Sequence, residues 1–241
     1  MRSTSSRTCG RALLASAGVN VLATDRPDTR RRLVAWLILV AVLIALQYAS
    51  RADSGTPDRN VLYRYSTAVS SAVLYGILLY IVLRIAGFRR DLLALRRPRS
   101  WPRAVGLMVV LLVVVFAAIS IIDPYLHGAR EQGLTPTGWE PRHAGAYAAN
   151  FLVIAGLAPI VEELTFRGVG FSLLRRFGVW FAILAVGILF ALAHGLVQAF
   201  PELAIFGCSL AWLRWKTDSV YPGMLLHATF NAISLVAAVV R

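Results

Sequence analysis

Long apolar runs separated by short polar, arginine-rich segments dominate this chain. Most of the runs approach the roughly 20 residues that a helix needs to cross a bilayer. Because backbone groups in lipid must bond within their own segment, the pattern predicts an all-α fold, a polytopic transmembrane helical bundle of about 7–8 spans. The predicted segments are 33–49, 68–88, 104–122, a segment beginning near 145, 179–197, 201–215 and 221–240.

The same pattern divides the chain into four parts. Residues 1–29 are rich in Ser, Thr and Arg and predict a flexible basic N-terminal tail. N-terminal transmembrane helices follow over 30–123, then an extracytoplasmic loop over 124–144 that is mixed in charge and contains prolines. The last part, 145–241, is a helical core that carries most of the unusual polar residues and is where we expect the activity.

Composition and charge support a membrane protein. Hydrophobic residues make up 58% of the chain, and its mean hydropathy is +0.65. The net charge of +13 comes from Lys and Arg residues that cluster between the predicted spans, so lipid headgroups rather than nucleic acid are the expected partners. By the positive-inside rule, the basic segments after spans two, four and six face the cytoplasm. We therefore expect an integral protein of a bacterial inner (plasma) membrane with a cytoplasmic N-terminus.

Two adjacent acids and an arginine lie in the fourth apolar segment. Glu163 and Arg167 are four residues apart with the acid first, which is the favourable order for an ion pair along a helix. Glu162 points about 100° away around the helix and has no partner at that spacing. Ionisable residues at membrane depth are costly and usually functional, so Glu163 is predicted to be structural and Glu162 available for chemistry.

The backbone of this segment is expected to be irregular. Pro159 removes a backbone donor just before the acids, which predicts a kink there. The segment is also long for a single span, which predicts a break at Gly168 or Gly170. Irregular backbone at membrane depth is tolerated only where protein or a water-filled cavity surrounds it.

Two further helices carry polar groups at matching spacing. Phe190 and His194 are four residues apart on the fifth segment, and His227 and Asn231 are four residues apart on the last. Members of each pair share one face of a helix, so each helix can direct its polar groups inward.

Counting along ideal helices predicts the depth of these groups. Glu162 and His194 lie equally far from the turn at Gly178, about 24 Å along each helix. The same counting from the following turn places Asn231 close to that level and His227 shallower. We therefore expect Glu162, His194 and Asn231 to lie at similar depth.

The order Glu-Glu-x-x-x-Arg, Phe-x-x-x-His, His-x-x-x-Asn resembles the CAAX prenyl endopeptidase and bacteriocin-processing family of intramembrane proteases, called CPBP or Abi. The resemblance covers about residues 145–235 and leaves out the first three spans. It extends to the loop before His227, where the family usually has Gly and this chain has Asp218.

The resemblance implies a CAAX-protease-like intramembrane glutamic endopeptidase, a hydrolase that needs neither a metal nor another cofactor. Peptide hydrolysis requires an activated water, donors to the developing oxyanion and a proton for the leaving amine. Glu162 and His194 are expected to activate the water, and His227 and Asn231 to stabilise the oxyanion. The expected catalytic residues are Glu162, His194, His227 and Asn231, and the supporting residues are Glu163, Arg167 and Phe190.

Three other interpretations stay open from the sequence. Two acids and two histidines could bind zinc in a metal-dependent membrane protease, although no His-Glu-x-x-His is present. The chain could be a non-catalytic immunity or scaffold protein that keeps the family fold. A transporter is the third, against which the lack of an internal repeat argues. For the protease, the expected partner is a membrane-anchored or lipidated peptide or protein substrate, and the oligomeric state is unknown.

Overall fold

The computed structural model describes residues 26–53, 60–131, 136 and 138–240, so most of the predicted N-terminal tail lies outside the described residues. Over these ranges the chain forms helices and contains no strand, which confirms the predicted all-α bundle. The long helices are α1 Arg26–Asp53, α2 Tyr65–Ala86, α3 Trp101–Leu126, α4 Pro141–Phe177, α5 Val179–Leu192, α6 Phe200–Thr217 and α7 Tyr221–Val240.

Five of these helices, α1 to α4 and α7, are long and apolar enough to cross a membrane, and α5 is a shorter apolar helix. Their outward faces are apolar, because large hydrophobic side chains on α2 and α3 expose more than half of their surface. Such an extensive apolar surface fits lipid better than water, as expected of an integral membrane protein. These exposed residues include Val69, Val73, Ile77, Val109, Val110, Val113 and Ile121.

Three helix boundaries near the site differ from the prediction. Helix α3 continues through Pro124 to Leu126, and α4 already begins at Pro141, so less chain lies between them than predicted. Helix α5 ends at Leu192, although the apolar pattern extends to 197. Gly195 explains this early end, since it adopts φ +65° and its backbone lies against Gln47 of α1. A residue with a Cβ would be strained in that conformation and would collide with α1.

Helix α4 lies at the centre of the bundle, where it contacts α1, α2, α5, α6 and α7. It contains two π-helical segments, Val153–Leu157 and Leu164–Gly170, on either side of Ala158–Glu163. The first segment precedes Pro159, and there the Ala158 N–H bonds to the carbonyl of Val153. The predicted break at Gly168 or Gly170 is wrong, because the helix continues through the second widened segment. Such π segments are frequent at functional sites.

Gly168 and Gly170 allow close packing against other segments and do not mark a break in the helix. A Cβ on Gly168 would come within 3.1 Å of the Leu93 carbonyl oxygen, and a Cβ on Gly170 would overlap the Trp36 ring. Trp36 is fully buried and donates its indole N–H to the Thr165 carbonyl oxygen at 2.9 Å. Helix α1 is therefore attached directly to the turn of α4 that follows the two acids.

Basic residues from separate segments meet Asp218 at one end of the bundle. Its carboxylate accepts hydrogen bonds from Arg96 at 2.8 Å and Arg214 at 3.0 Å, and Arg175 lies 4.0 Å away. Asp218 ends α6 in the left-handed conformation, with φ +52°. Burial alone would raise the pKa of Asp218, but the hydrogen bonds from Arg96 and Arg214 outweigh it, so the pKa lies below its ordinary value.

Replacing Asp218 with Asn is expected to make the protein less stable at neutral pH and less sensitive to acid. A carboxyl whose pKa is lowered in the folded state stabilises the fold above its unfolded pKa of about 3.9 and loses that contribution as pH falls through the folded pKa. Asn keeps the shape and tolerates the left-handed conformation. Thermal midpoints of purified protein between pH 3 and 8 should therefore differ at neutral pH and converge in acid. A difference in thermal midpoint that stays constant across this pH range would contradict this role.

Candidate active site

Glu163 and Arg167 form a fully buried ion pair on α4. The Arg167 Nη1 and Glu163 Oε1 atoms are 2.9 Å apart, and neither side chain is exposed. Arg167 also donates to the Gly207 carbonyl oxygen of α6 at 2.8 Å and lies 4.3 Å above the Phe190 ring of α5. The pair thus joins α4 to two neighbouring helices and holds the turn that carries Glu162.

Glu162 points into a partly buried polar cluster formed by α2, α4, α7 and the turn after α5. Its Oε1 accepts a 2.6 Å hydrogen bond from the hydroxyl of Tyr75 on α2. Its Oε2 lies 3.7 Å from His227 Nε2 and 4.0 Å from His194 Nε2. Within the described part of the chain, that oxygen is buried and has no hydrogen-bond partner. One carboxylate oxygen is therefore anchored, and the other faces two imidazole rings.

His194 lies in the tightened turn just after α5 instead of within the helix. The turn closes through hydrogen bonds from His194 N–H to Ala191 O and from Gly195 N–H to Leu192 O. The His194 ring is oriented by a 2.8 Å hydrogen bond between its Nδ1 and the Phe190 carbonyl oxygen. Because a carbonyl can only accept, Nδ1 must carry the proton, which leaves Nε2 of the neutral ring as an acceptor facing Glu162.

His227 lies between the two acids. Its Nδ1 is 3.4 Å from Glu163 Oε1, and its Nε2 faces Glu162 Oε2. The Phe190 ring packs edge-on against both His194 and His227, with centroids 4.6 and 5.7 Å apart. Phe190 therefore acts as packing that separates and orients the two imidazoles.

Asn231 lies one turn beyond His227 on α7, beside the first π segment of α4. Its Nδ2 donates to the Ile154 carbonyl oxygen, in the first π segment of α4, at 2.9 Å. His227, and not Asn231, is thus level with Glu162, contrary to the depth predicted from ideal helices. Counting at a constant rise fails here because the counted stretch of α4, from Glu162 to Gly178, contains the π segment Leu164–Gly170, which does not have the geometry of an ideal α-helix.

Tyr75 is the residue of this cluster that sequence analysis missed. It is separated from Glu162 by 87 positions and lies on another helix. Spacing rules connect residues only within one helix, so no local pattern marks it. Its distinguishing feature in the sequence is a hydroxyl group within a mostly apolar span. Several other residues of α2 also carry a hydroxyl group, so this feature does not single out Tyr75.

Together, the fold and this cluster define a polytopic membrane protein with two acids and two histidines close together among its C-terminal helices. Residues 144–233 match the family model described as type II CAAX prenyl endopeptidase Rce1-like. This match confirms the relationship to the CAAX prenyl endopeptidase family that the three motifs indicated, and it supports a CAAX-type intramembrane protease at the level of the family. Neither the curated proteins nor the solved structures contain a match to the chain.

Proposed function

We propose that the chain is an intramembrane endopeptidase in which Glu162 and His194 activate water, while His227 and Asn231 stabilise the oxyanion. The observation that carries this proposal is the approach of Glu162 Oε2 to the Nε2 atoms of both histidines, at 4.0 and 3.7 Å. The three groups come from α4, α7 and the turn after α5, in a segment that matches a protease family.

Water activation follows from the hydrogen-bonding capacities of the two groups. His194 Nε2 and Glu162 Oε2 are both acceptors, and a separation above about 3.5 Å suits a bridging water. Such a water donates one hydrogen to each group and directs its lone pair at the substrate carbonyl. Glu162 takes the proton as the water oxygen bonds to the carbonyl carbon, which is general base catalysis.

The remaining steps use the neighbouring donors. A proton on His227 Nε2 would stabilise the oxyanion, and Asn231 supplies a second donor because its amide has two hydrogens and the Ile154 carbonyl takes one. As the tetrahedral intermediate collapses, the C–N bond breaks and Glu162 returns its proton to the amine nitrogen. The Glu163–Arg167 pair keeps Glu162 in place throughout.

Purified protein and a library of membrane-anchored peptides test this proposal. Wild-type protein should cleave some of the peptides, a chelator should not change the rate, and Glu162→Gln should abolish cleavage. Loss of wild-type cleavage on chelation would assign the same residues to a metal site. If neither protein cleaves any peptide under conditions in which it is folded, the catalytic proposal fails, and a non-catalytic role such as immunity or scaffolding gains support.

An apolar groove on the two helices that carry Glu162 and His227 supports a substrate that is lipidated or has a hydrophobic segment. The groove lies between the first π segment of α4 and α7 and has a volume of about 320 Å³. Two of its lining residues, Ala155 and Ala232, directly follow Ile154 and Asn231 in the chain, which are hydrogen-bonded to each other. Apolar lining favours an apolar chain over a charged peptide. Its residues are Phe151, Leu152, Ala155, Gly156, Ala228, Thr229 and Ala232.

Filling this groove with Gly156→Leu is expected to raise KM for a lipidated peptide several-fold and to change kcat little. Gly156 lines the groove, and a Cβ there meets nothing within 4 Å, so the new side chain has room to extend from the helix into the groove. Initial rates with lipidated and unmodified versions of one peptide measure the effect. Gly106→Leu on α3 is the matched control, since it too has free space around its Cβ. Equal cleavage of both peptide versions by the wild type would count against a membrane-associated substrate.

A further inference from the structure

Tyr75 connects the N-terminal helices to the candidate active site. Helix α2 lies outside the segment that matches the family, 144–233, yet its Tyr75 hydroxyl donates to Glu162 Oε1 at 2.6 Å. This length is within the 2.5–2.7 Å range typical of a hydroxyl bonded to an ionised carboxylate, about the strongest class of protein hydrogen bond. The contact is thus a specific attachment of the carboxylate and not incidental packing.

The bond has a geometric consequence for Glu162. The terminal torsion of a glutamate is broad, so an unattached carboxylate can turn either oxygen toward the histidines. With Oε1 held by Tyr75, Oε2 is the oxygen that faces His194 and His227. The Glu163–Arg167 pair holds the α4 backbone, whereas Tyr75 holds the carboxylate itself.

We infer that Tyr75 is a positioning residue that fixes the Glu162 carboxylate in the orientation needed to receive a proton from water. This inference rests on the proposed protease function for its catalytic part. It also assigns α2 a role in the site, so the C-terminal core alone does not contain all of the residues that prepare Glu162 for reaction.

The variant that tests this role is Tyr75→Phe, which keeps the ring and removes the hydroxyl. A hydrogen bond to a charged group contributes about 1.5–3 kcal/mol, so kcat should fall roughly 10- to 100-fold. KM should stay within about twofold, because Tyr75 contacts the acid and not the apolar groove. Tyr80→Phe is the matched control: it removes the same atom from the same helix at an exposed position and should leave both constants unchanged.

An infrared measurement tests the contact independently of catalysis. The difference spectrum between wild type and Glu162→Gln isolates the carboxylate bands of Glu162. Tyr75→Phe should shift these bands, since they respond to hydrogen bonding, and Tyr80→Phe should not. This signature would be unaffected if Tyr75 contributed only to helix packing.

The outcomes separate this inference from the proposed function. Unshifted bands, or a kcat for Tyr75→Phe equal to that of wild type while Glu162→Gln is inactive, would overturn the role of Tyr75 and leave the protease proposal intact. If the wild type cleaves nothing, the protease proposal fails, and the infrared bands still decide whether Tyr75 fixes the carboxylate. Shifted bands together with a lowered kcat support both the positioning role of Tyr75 and the protease proposal.

Discussion

Glu162→Gln is expected to lower kcat by about 10³-fold or more while the protein stays folded, because general acid–base catalysis typically contributes 10²–10⁴-fold and Glu162 is proposed to act in both directions. Gln has nearly the same volume, and its carbonyl oxygen can still accept the hydrogen bond from Tyr75. Only the capacity to take and return a proton is lost. Initial rates with a membrane-anchored peptide that the wild type cleaves measure kcat. The thermal midpoint of the same preparation shows whether the variant stays folded.

Glu202→Gln is the matched control for this variant. Glu202 is another buried glutamate, 5% exposed, near the start of α6. Its replacement removes a carboxyl from the bundle without touching the proposed site, so the rate should match that of the wild type. Wild-type rates in Glu162→Gln would rule out the assignment of Glu162 as general base, whatever the family relationship.

Arg167→Met is expected to destabilise the protein by about 3–5 kcal/mol, because it leaves the buried Glu163 carboxylate without its partner. The variant also loses the hydrogen bond to the Gly207 carbonyl oxygen and the contact with the Phe190 ring. For a chain of this size, the loss corresponds to a thermal midpoint lower by roughly 10 °C. Thermal unfolding in a fixed detergent and buffer measures it.

A double variant separates the charge from the packing. Glu163→Gln combined with Arg167→Met removes both charges, so much of the lost stability should return, since a buried pair replaced as a whole is often close to neutral. If the double variant is as unstable as the sum of the two single variants, the residues contribute independently and the ion pair is not what stabilises this part of α4.

Sequence reasoning worked best where one helix contains the whole interaction. The spacing of Glu163 and Arg167 predicts their pairing because backbone hydrogen bonds fix the distance between residues four apart on a helix. The apolar runs predicted the all-α membrane bundle for a related reason, since lipid allows few other ways to satisfy the backbone. The ordered motifs predicted the family relationship that the match to residues 144–233 confirms.

Sequence reasoning failed where the backbone departs from an ideal helix. The apolar pattern extended α5 to 197, but Gly195 ends the helix early and places His194 in a turn. Counting at a constant rise placed Asn231 level with Glu162, whereas the structure places His227 there. The two π segments of α4 change the register of its side chains, and no propensity in the sequence specifies them clearly.

The sequence by itself determined the class of protein, the presence of its helices and the Glu163–Arg167 pair within one helix, because these depend on hydrophobicity and on a fixed local repeat. Only the tertiary structure decided which groups meet across helices: Tyr75 with Glu162, His227 with both acids, and Asp218 with Arg96. Such contacts depend on helix rotation and depth, which follow from the packing of whole side chains and leave no spacing pattern in the chain.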